Sequence, residues 1–213
     1  VAPIERELKY SLVEPPPPGA VVVAVGRGGP YAFVEGGVGT HLDRYFDDDV
    51  GRLRAAGWAL RQRSTAEGRV ATLKAGGDVD GGWHRREEIE APMEGDDWPV
   101  AVARRLAEHV ALWQLRPRLE LEVERSRFRV VHLGRPVATL TFDRVAARLP
   151  GEERSAHFDE AEIEALGPGS DDESERAILQ GAADLLDEVV RLAPTSVTKL
   201  ERAAAALALG STF

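Results

Sequence analysis

The chain has 213 residues and no cysteine, which excludes disulfides and thiolate metal sites and leaves oxygen or imidazole as donors for any metal. Its formal net charge of -9 argues against non-specific nucleic-acid binding, although a local cluster of Arg and Lys can still hold an anion inside a cleft. No apolar run approaches the roughly 18 residues of a membrane span and no secretory signal pattern is present, so the cytoplasm is the expected location and no membrane or nucleic-acid partner is expected.

Residues 3–13 alternate and predict a first strand, which the proline run "EPPPPG" (14–19) ends, because four prolines donate no backbone N–H. Valine-rich 20–26 and "YAFVE" (31–35) predict a hairpin about "RGGP", followed by a glycine loop. "HLDRYFDD" (41–48) leads into an expected short helical turn. Strands are expected at 58–64, 69–76 and 83–91, with "GDVDGG" a turn between the last two. Residues 99–114 have helical spacing, with Val102, Leu106, Val110 and Trp113 on one stripe, Asp97 as a cap and Pro99 in the first turn. Residues 118–149 predict two or three strands with a turn at "LGRP", and 154–166 another strand. The clearest helix covers 170–193, with Ser170 and Glu173 as a capping box, and a last helix covers Lys199 to Leu209. Consecutive strands with short connections favour antiparallel pairing, so the fold expected is α+β, one domain over 1–213.

Residues two apart in a strand project from the same side. Glu5, Glu7 and Lys9 therefore share a face, as do Arg61 and Arg63, Thr72 and Lys74, and Arg86, Glu88 and Glu90. Arg125, Arg127 and Arg129 share another, and so do Glu160, Glu162 and Glu164. Each can be the solvated side of a half-buried sheet. If the sheet instead curls with these faces inward, carboxylates meet cations across a lumen that suits a divalent metal and a polyanion together. Glu120, Glu122 and Glu124 are out of phase with Arg125 and are expected to face solvent. The five histidines are scattered without zinc spacing and are expected to be surface or structural, and the four tryptophans are expected to pack. Tyr45 is open to either packing or phosphate contact.

In chain order, "IERELK", "RYFDD", "GWALRQR", "ATLK", "GGWHRREEIE", "ERSRF", "LTFD", "DEAEIEAL" and "SVTK" resemble the successive motifs of the CYTH proteins, or triphosphate tunnel metalloenzymes. The pattern, from about residue 3 to 203, is most similar to bacterial inorganic-triphosphatase-type members, including those joined to a CHAD domain, so a CHAD-type partner is implied. Two departures stand out: Pro- and Gly-rich sequence replaces the usual helix after the first strand, and Glu122 stands where many relatives carry a basic residue.

The resemblance implies an antiparallel β-barrel of about eight strands forming a tunnel, with two or three flanking helices. It implies Mg²⁺ or Mn²⁺ as cofactor and a triphosphate or polyphosphate ligand. Glu5, Glu7, Glu160 and Glu162 are the implied metal ligands, with Glu88, Asp143 and Glu164 serving a second site or orienting water. Lys9, Arg61, Arg63, Lys74, Arg86, Arg125 and Lys199 are the implied phosphate contacts. The expected activity is metal-dependent hydrolysis of inorganic tripolyphosphate or an organic triphosphate such as thiamine triphosphate. In that reaction Glu162 or Glu164 orients water, while Lys9, Lys74 or Arg61 stabilises the leaving group. An adenylate cyclase, and a polyphosphate- or nucleotide-binding module with little catalysis, are the alternatives.

Overall fold

The computed structural model describes residues 3–13, 16, 29–167 and 172–208. The expected strand at 20–26, the proline connector apart from Pro16, Ser170 and Leu209 lie outside the described residues. The elements in chain order are β1 (Ile4–Leu12), β2 (Tyr31–Asp47), α1 (Arg52–Ala55), β3 (Ala59–Thr65), β4 (Gly68–Asp80), β5 (Trp83–Pro92), α2 (Val100–Leu106), β6 (Arg116–His132), β7 (Arg135–Arg148), β8 (Ser155–Ala165), α3 (Asp172–Asp187), β9 (Ala193–Pro194) and α4 (Lys199–Ala206). All pairings are antiparallel. They run β5-β4-β3-β2-β6-β7-β8-β1, and β1 pairs back onto β5, so eight strands close into a barrel with β9 added beside β1.

The distribution of apolar residues inverts that of an ordinary barrel. On β1, Leu8, Tyr10 and Leu12 point outward and pack with Leu140 and Ile163 beneath α3. That helix carries Asp172, Glu173 and Glu175 in its first turn, where its dipole favours negative charge, and buries Leu179, Ala182, Ala183 and Leu186. Gly181 is required here, because an added Cβ would lie 2.4 Å from the Tyr31 hydroxyl, which donates to the Ile178 carbonyl. A second cluster, Leu60, Leu73, Val102 and Leu106, lies between the outer faces of β3 and β4 and α2. Each such buried side chain contributes about 1.5–3 kcal/mol. With its apolar positions facing the helices, the barrel wall is left to turn its charged positions inward.

The third cluster is on the inner face. Asp43, Leu121 and Ala147 stand opposite one another and therefore point the same way. Leu119, Leu121, Val123, Val145 and Phe158 fill one end of the barrel and are covered by Ala203 and Leu207 of α4 and its C-terminal cap. α4 starts with a capping box between Thr198 and Glu201.

Several sequence expectations are corrected. β2 runs unbroken from Tyr31 to Asp47, where a short strand, a loop and the approach to a helical turn were expected. Its glycines do not end the strand: Gly37, at φ 95°, sits at a bulge opposite β6, and the ladder of hydrogen bonds outweighs the low strand preference of glycine. β4 likewise continues to Asp80 through a bulge between Lys74 and Gly77. The helix expected over 99–114 stops at Leu106. Val102, Leu106 and Val110 are buried as the spacing required, but Trp113 is 75 % exposed in a separate single turn, Leu112–Gln114. Pro99, with no side-chain bond, occupies the N-cap in place of Asp97. Glu122 and Glu124 face solvent as expected, whereas Glu120 is only 12% exposed, held by Arg44 at 2.8 Å and Arg148 at 3.1 Å.

Candidate active site

The register of the barrel brings the charged faces together. Glu7 stands opposite Glu164, Lys9 opposite Glu162 and Ser11 opposite Glu160. Glu160 stands opposite Asp143, and Asp143 opposite Arg125. Around the other side, Glu5 faces Arg86, Lys74 faces Glu88, Arg61 faces Thr72 and Arg63 faces Asp43. The inward side chains enclose a cavity of about 880 Å³ including its open mouth, lined by Glu5, Lys9, Arg61, Arg63, Lys74, Arg86, Glu88, Arg125, Glu162, Glu164 and Lys199 among others. The remaining expected site residues, Glu7, Asp143 and Glu160, lie behind these and are buried.

Every one of the expected cations is held by carboxylates. Lys9 bonds Glu162 and lies 3.3 Å from Glu7. Lys74 bonds Glu5, and Arg86 reaches Glu5 at 2.9 Å and Glu7 at 2.7 Å. Arg125 forks onto Asp143 and touches Glu162 at 3.2 Å. Lys199, first residue of α4, enters the cavity to bond Asp143 and lies 2.8 Å from Glu160. Like charges dominate around some carboxylates and cations around others, which splits their proton affinities. Burial pushes Glu5 and Asp143 up, but Lys74 and Arg86 for the first, and Lys199 and Arg125 for the second, bring each down to about 2. Burial, with Glu5 and Glu7 nearby, pushes Glu164 up to about 7. Burial raises Glu160 too, with Glu162 adding to the rise.

Two carboxylate sets have the right donors for a hard divalent cation. One oxygen each from Glu5, Glu88 and Glu164 lie within 4.8 Å of one another, and so do oxygens of Asp143, Glu160 and Glu162. Glu7 belongs to neither set in this arrangement; it pairs with Arg86 and Lys9.

Sequence reasoning missed Asp43. It is fully buried, accepts both forked bonds of Arg63 at 2.7 Å and lies 3.7 Å from Arg61. Burial opposes its charge, yet Arg61, Arg63 and His41 hold its carboxyl well below the usual range. The alternation His41, Asp43, Tyr45 carried the signal, hidden by reading 41–48 as the approach to a helix. His41 is buried beside Asp43 at 3.6 Å, and neither of its ring nitrogens has a hydrogen-bond partner among the described residues. Tyr45 packs in the inner apolar cluster and also lines the cavity.

Comparison with known proteins agrees with this geometry. None of the curated proteins matches the chain. Among solved structures, the PH1819 protein of Pyrococcus horikoshii OT3 is 20% identical with a TM-score of 0.57, over 93% of this chain and 97% of that one. A Hippeastrum protein, provisionally an adenylyl cyclase and described as having a dominant triphosphatase activity, is 17% identical with a TM-score of 0.59, over 92% and 93%. A provisional adenylate cyclase of Bacillus halodurans is 17% identical with a TM-score of 0.56, over 94% and 97%. These likenesses show the shared fold. The family model of the CYTH domain matches residues 32–204, and the chain belongs to the CYTH family.

Proposed function

We propose that the chain hydrolyses a triphosphate, with Mg²⁺ or Mn²⁺ as cofactor, inside the barrel. The observation that carries this reading is the convergence of seven Lys and Arg side chains and two oxygen-donor sets on one walled cavity. The dominant triphosphatase activity described for the Hippeastrum protein agrees with it.

A divalent cation on either carboxylate set would offset phosphate charge and polarise the anhydride bond. It would also release the cations from their carboxylate partners, so that Arg61, Arg63, Arg86 and Arg125 fork onto phosphate oxygens while Lys9, Lys74 and Lys199 act as point charges. Glu164, able to hold a proton near neutral pH, or Glu162 orients the attacking water. Lys9, Lys74 or Arg61 meets the charge growing on the leaving oxygen. Positioning and electrostatics supply most of the rate in such transfers.

The test is phosphate release from tripolyphosphate, ATP and thiamine triphosphate, each with Mg²⁺ and with Mn²⁺. Metal-dependent release is expected. Pyrophosphate with cyclic AMP would make the chain a cyclase, and binding without turnover would make it a polyphosphate-binding module.

A further inference from the structure

His41, on β2, has a side chain only 1% exposed, and neither of its ring nitrogens finds a hydrogen-bond partner among the described residues. Leaving buried polar atoms unpaired is costly, so the position calls for a reason. Nε2 stands 3.6 Å from Oδ2 of Asp43, just beyond hydrogen-bond reach. Both Asp43 oxygens are already engaged. Arg63 donates to Oδ1 through Nε and to Oδ2 through Nη2, each at 2.7 Å, and Arg61 lies 3.7 Å from Oδ2. Along the rung of His41 the neighbours are apolar: Val123 of β6 stands opposite it, and Val145 of β7 stands opposite Val123. The charged groups facing the ring are Asp43 on its own strand, Arg63 on β3 and Arg125 on β6. Arg61 lies beyond Asp43, and Asp143 of β7 holds Arg125. Burial pushes the imidazole pKa down, Asp43 opposes the fall, and Arg63 and Arg125 add to it.

A phosphate chain in the cavity would change each of these charges in the same direction. Its oxygens compete with Asp43 for Arg61 and Arg63, both of which line the cavity. A guanidinium that turns to phosphate leaves Asp43 with less compensating charge. The phosphate charge also offsets the fields of Arg63 and Arg125, which otherwise keep the imidazole neutral. Protonated His41 is then the nearest replacement cation for Asp43, and a movement of about 0.5–1 Å brings Nε2 into bonding distance.

We propose that His41 is a positioning residue: on binding of a triphosphate it takes one proton from solvent and pairs with Asp43 in place of Arg63, which frees Arg63 for phosphate; this rests on the triphosphate reading above. Only an N–H bond forms, on the neutral imidazole, and no other bond changes. The probe is imidotriphosphate, the non-hydrolysable analogue of tripolyphosphate, with Mg²⁺. Calorimetry at about pH 6–8, in buffers of different ionisation enthalpy, counts the protons taken up by wild type and by His41→Gln, which keeps a donor toward Asp43 and cannot titrate. Glu164 and the ligand also exchange protons, and the difference between the two chains removes both contributions. Wild type should take up more protons than His41→Gln, by up to one per chain. Its affinity should accordingly rise by up to about tenfold more than that of the variant for each pH unit lowered. NMR of wild type with isotope-labelled histidine reads the same event without relying on the variant: the His41 ring should titrate at higher pH with ligand than without. Equal proton uptake by the two chains, or a His41 titration that ligand leaves unmoved, overturns the proposal and leaves the triphosphate reading intact. Proton uptake at His41 without phosphate release from tripolyphosphate overturns hydrolysis and leaves the role of His41 standing. Failure of wild type to bind imidotriphosphate overturns both.

Discussion

Replacing Asp43 by Asn separates the electrostatic role of the buried carboxylates from their shape. Asn keeps the side-chain volume and removes the charge that holds Arg63 through two bonds of 2.7 Å and Arg61 at 3.7 Å. Breaking one side of a buried pair costs about 3–5 kcal/mol, because the other charge stays desolvated. Arg61 and Arg63 keep 12% and 16% of their side-chain surface exposed and border the cavity, which puts the cost at the lower end, about 3 kcal/mol. For a chain of this length that is a fall of about 6–12 °C in melting temperature. Tripolyphosphate with Mg²⁺ should return much of it, since phosphate oxygens then supply the missing negative charge, and the ligand-induced shift should exceed that of the wild type. Differential scanning calorimetry with and without ligand measures both. A variant as stable as the wild type, or one that ligand stabilises no more than the wild type, would refute the idea that Asp43 is the charge partner of Arg61 and Arg63.

The other expectations follow from the same cavity. Glu7→Gln and Glu160→Gln should each abolish metal-dependent phosphate release while keeping the fold by circular dichroism; normal turnover by either would remove that residue from the site. Mg²⁺ at millimolar concentration should raise the melting temperature of metal-free protein, because carboxylates crowded in the barrel repel one another until a cation joins them, and an unchanged transition would count against both donor sets. The Glu164 carboxyl titrates near 7 in the folded chain, above its ordinary 4.5, so its contribution to stability is full below pH 4.5 and is lost as pH rises through 7. Metal-free wild type should therefore lose stability across that window relative to Glu164→Gln, and parallel melting curves for the two would contradict the assignment.

Much of this protein could be read from residue spacing. Glu5, Glu7 and Lys9 alternate with Arg6, Leu8 and Tyr10, which puts three charged groups on one face whatever the strand later packs against. The same period gave Arg61 with Arg63 and Glu160 with Glu162 and Glu164, while the tunnel was implied only by the resemblance of the motif order to the CYTH proteins. Period failed where backbone hydrogen bonding overrode local preference. β2 passes through glycines that read as a loop, because its partner β6 pairs with it along its whole length, bulges included, and with the strand went Asp43. Trp113 lies on the helical stripe of 99–114 yet stays outside, since the helix ends once Leu106 is buried.

Local sequence determined the faces, that is, which side chains must travel together along each strand. It could not determine which face is inside, since a two-residue period is the same for a solvated surface and for a lumen. Closure of β1 onto β5 decided that. With α2 and α3 covering the apolar outer wall, the charged positions had only the interior left, and there Lys9 meets Glu162 and Lys74 meets Glu5 from strands distant in the chain.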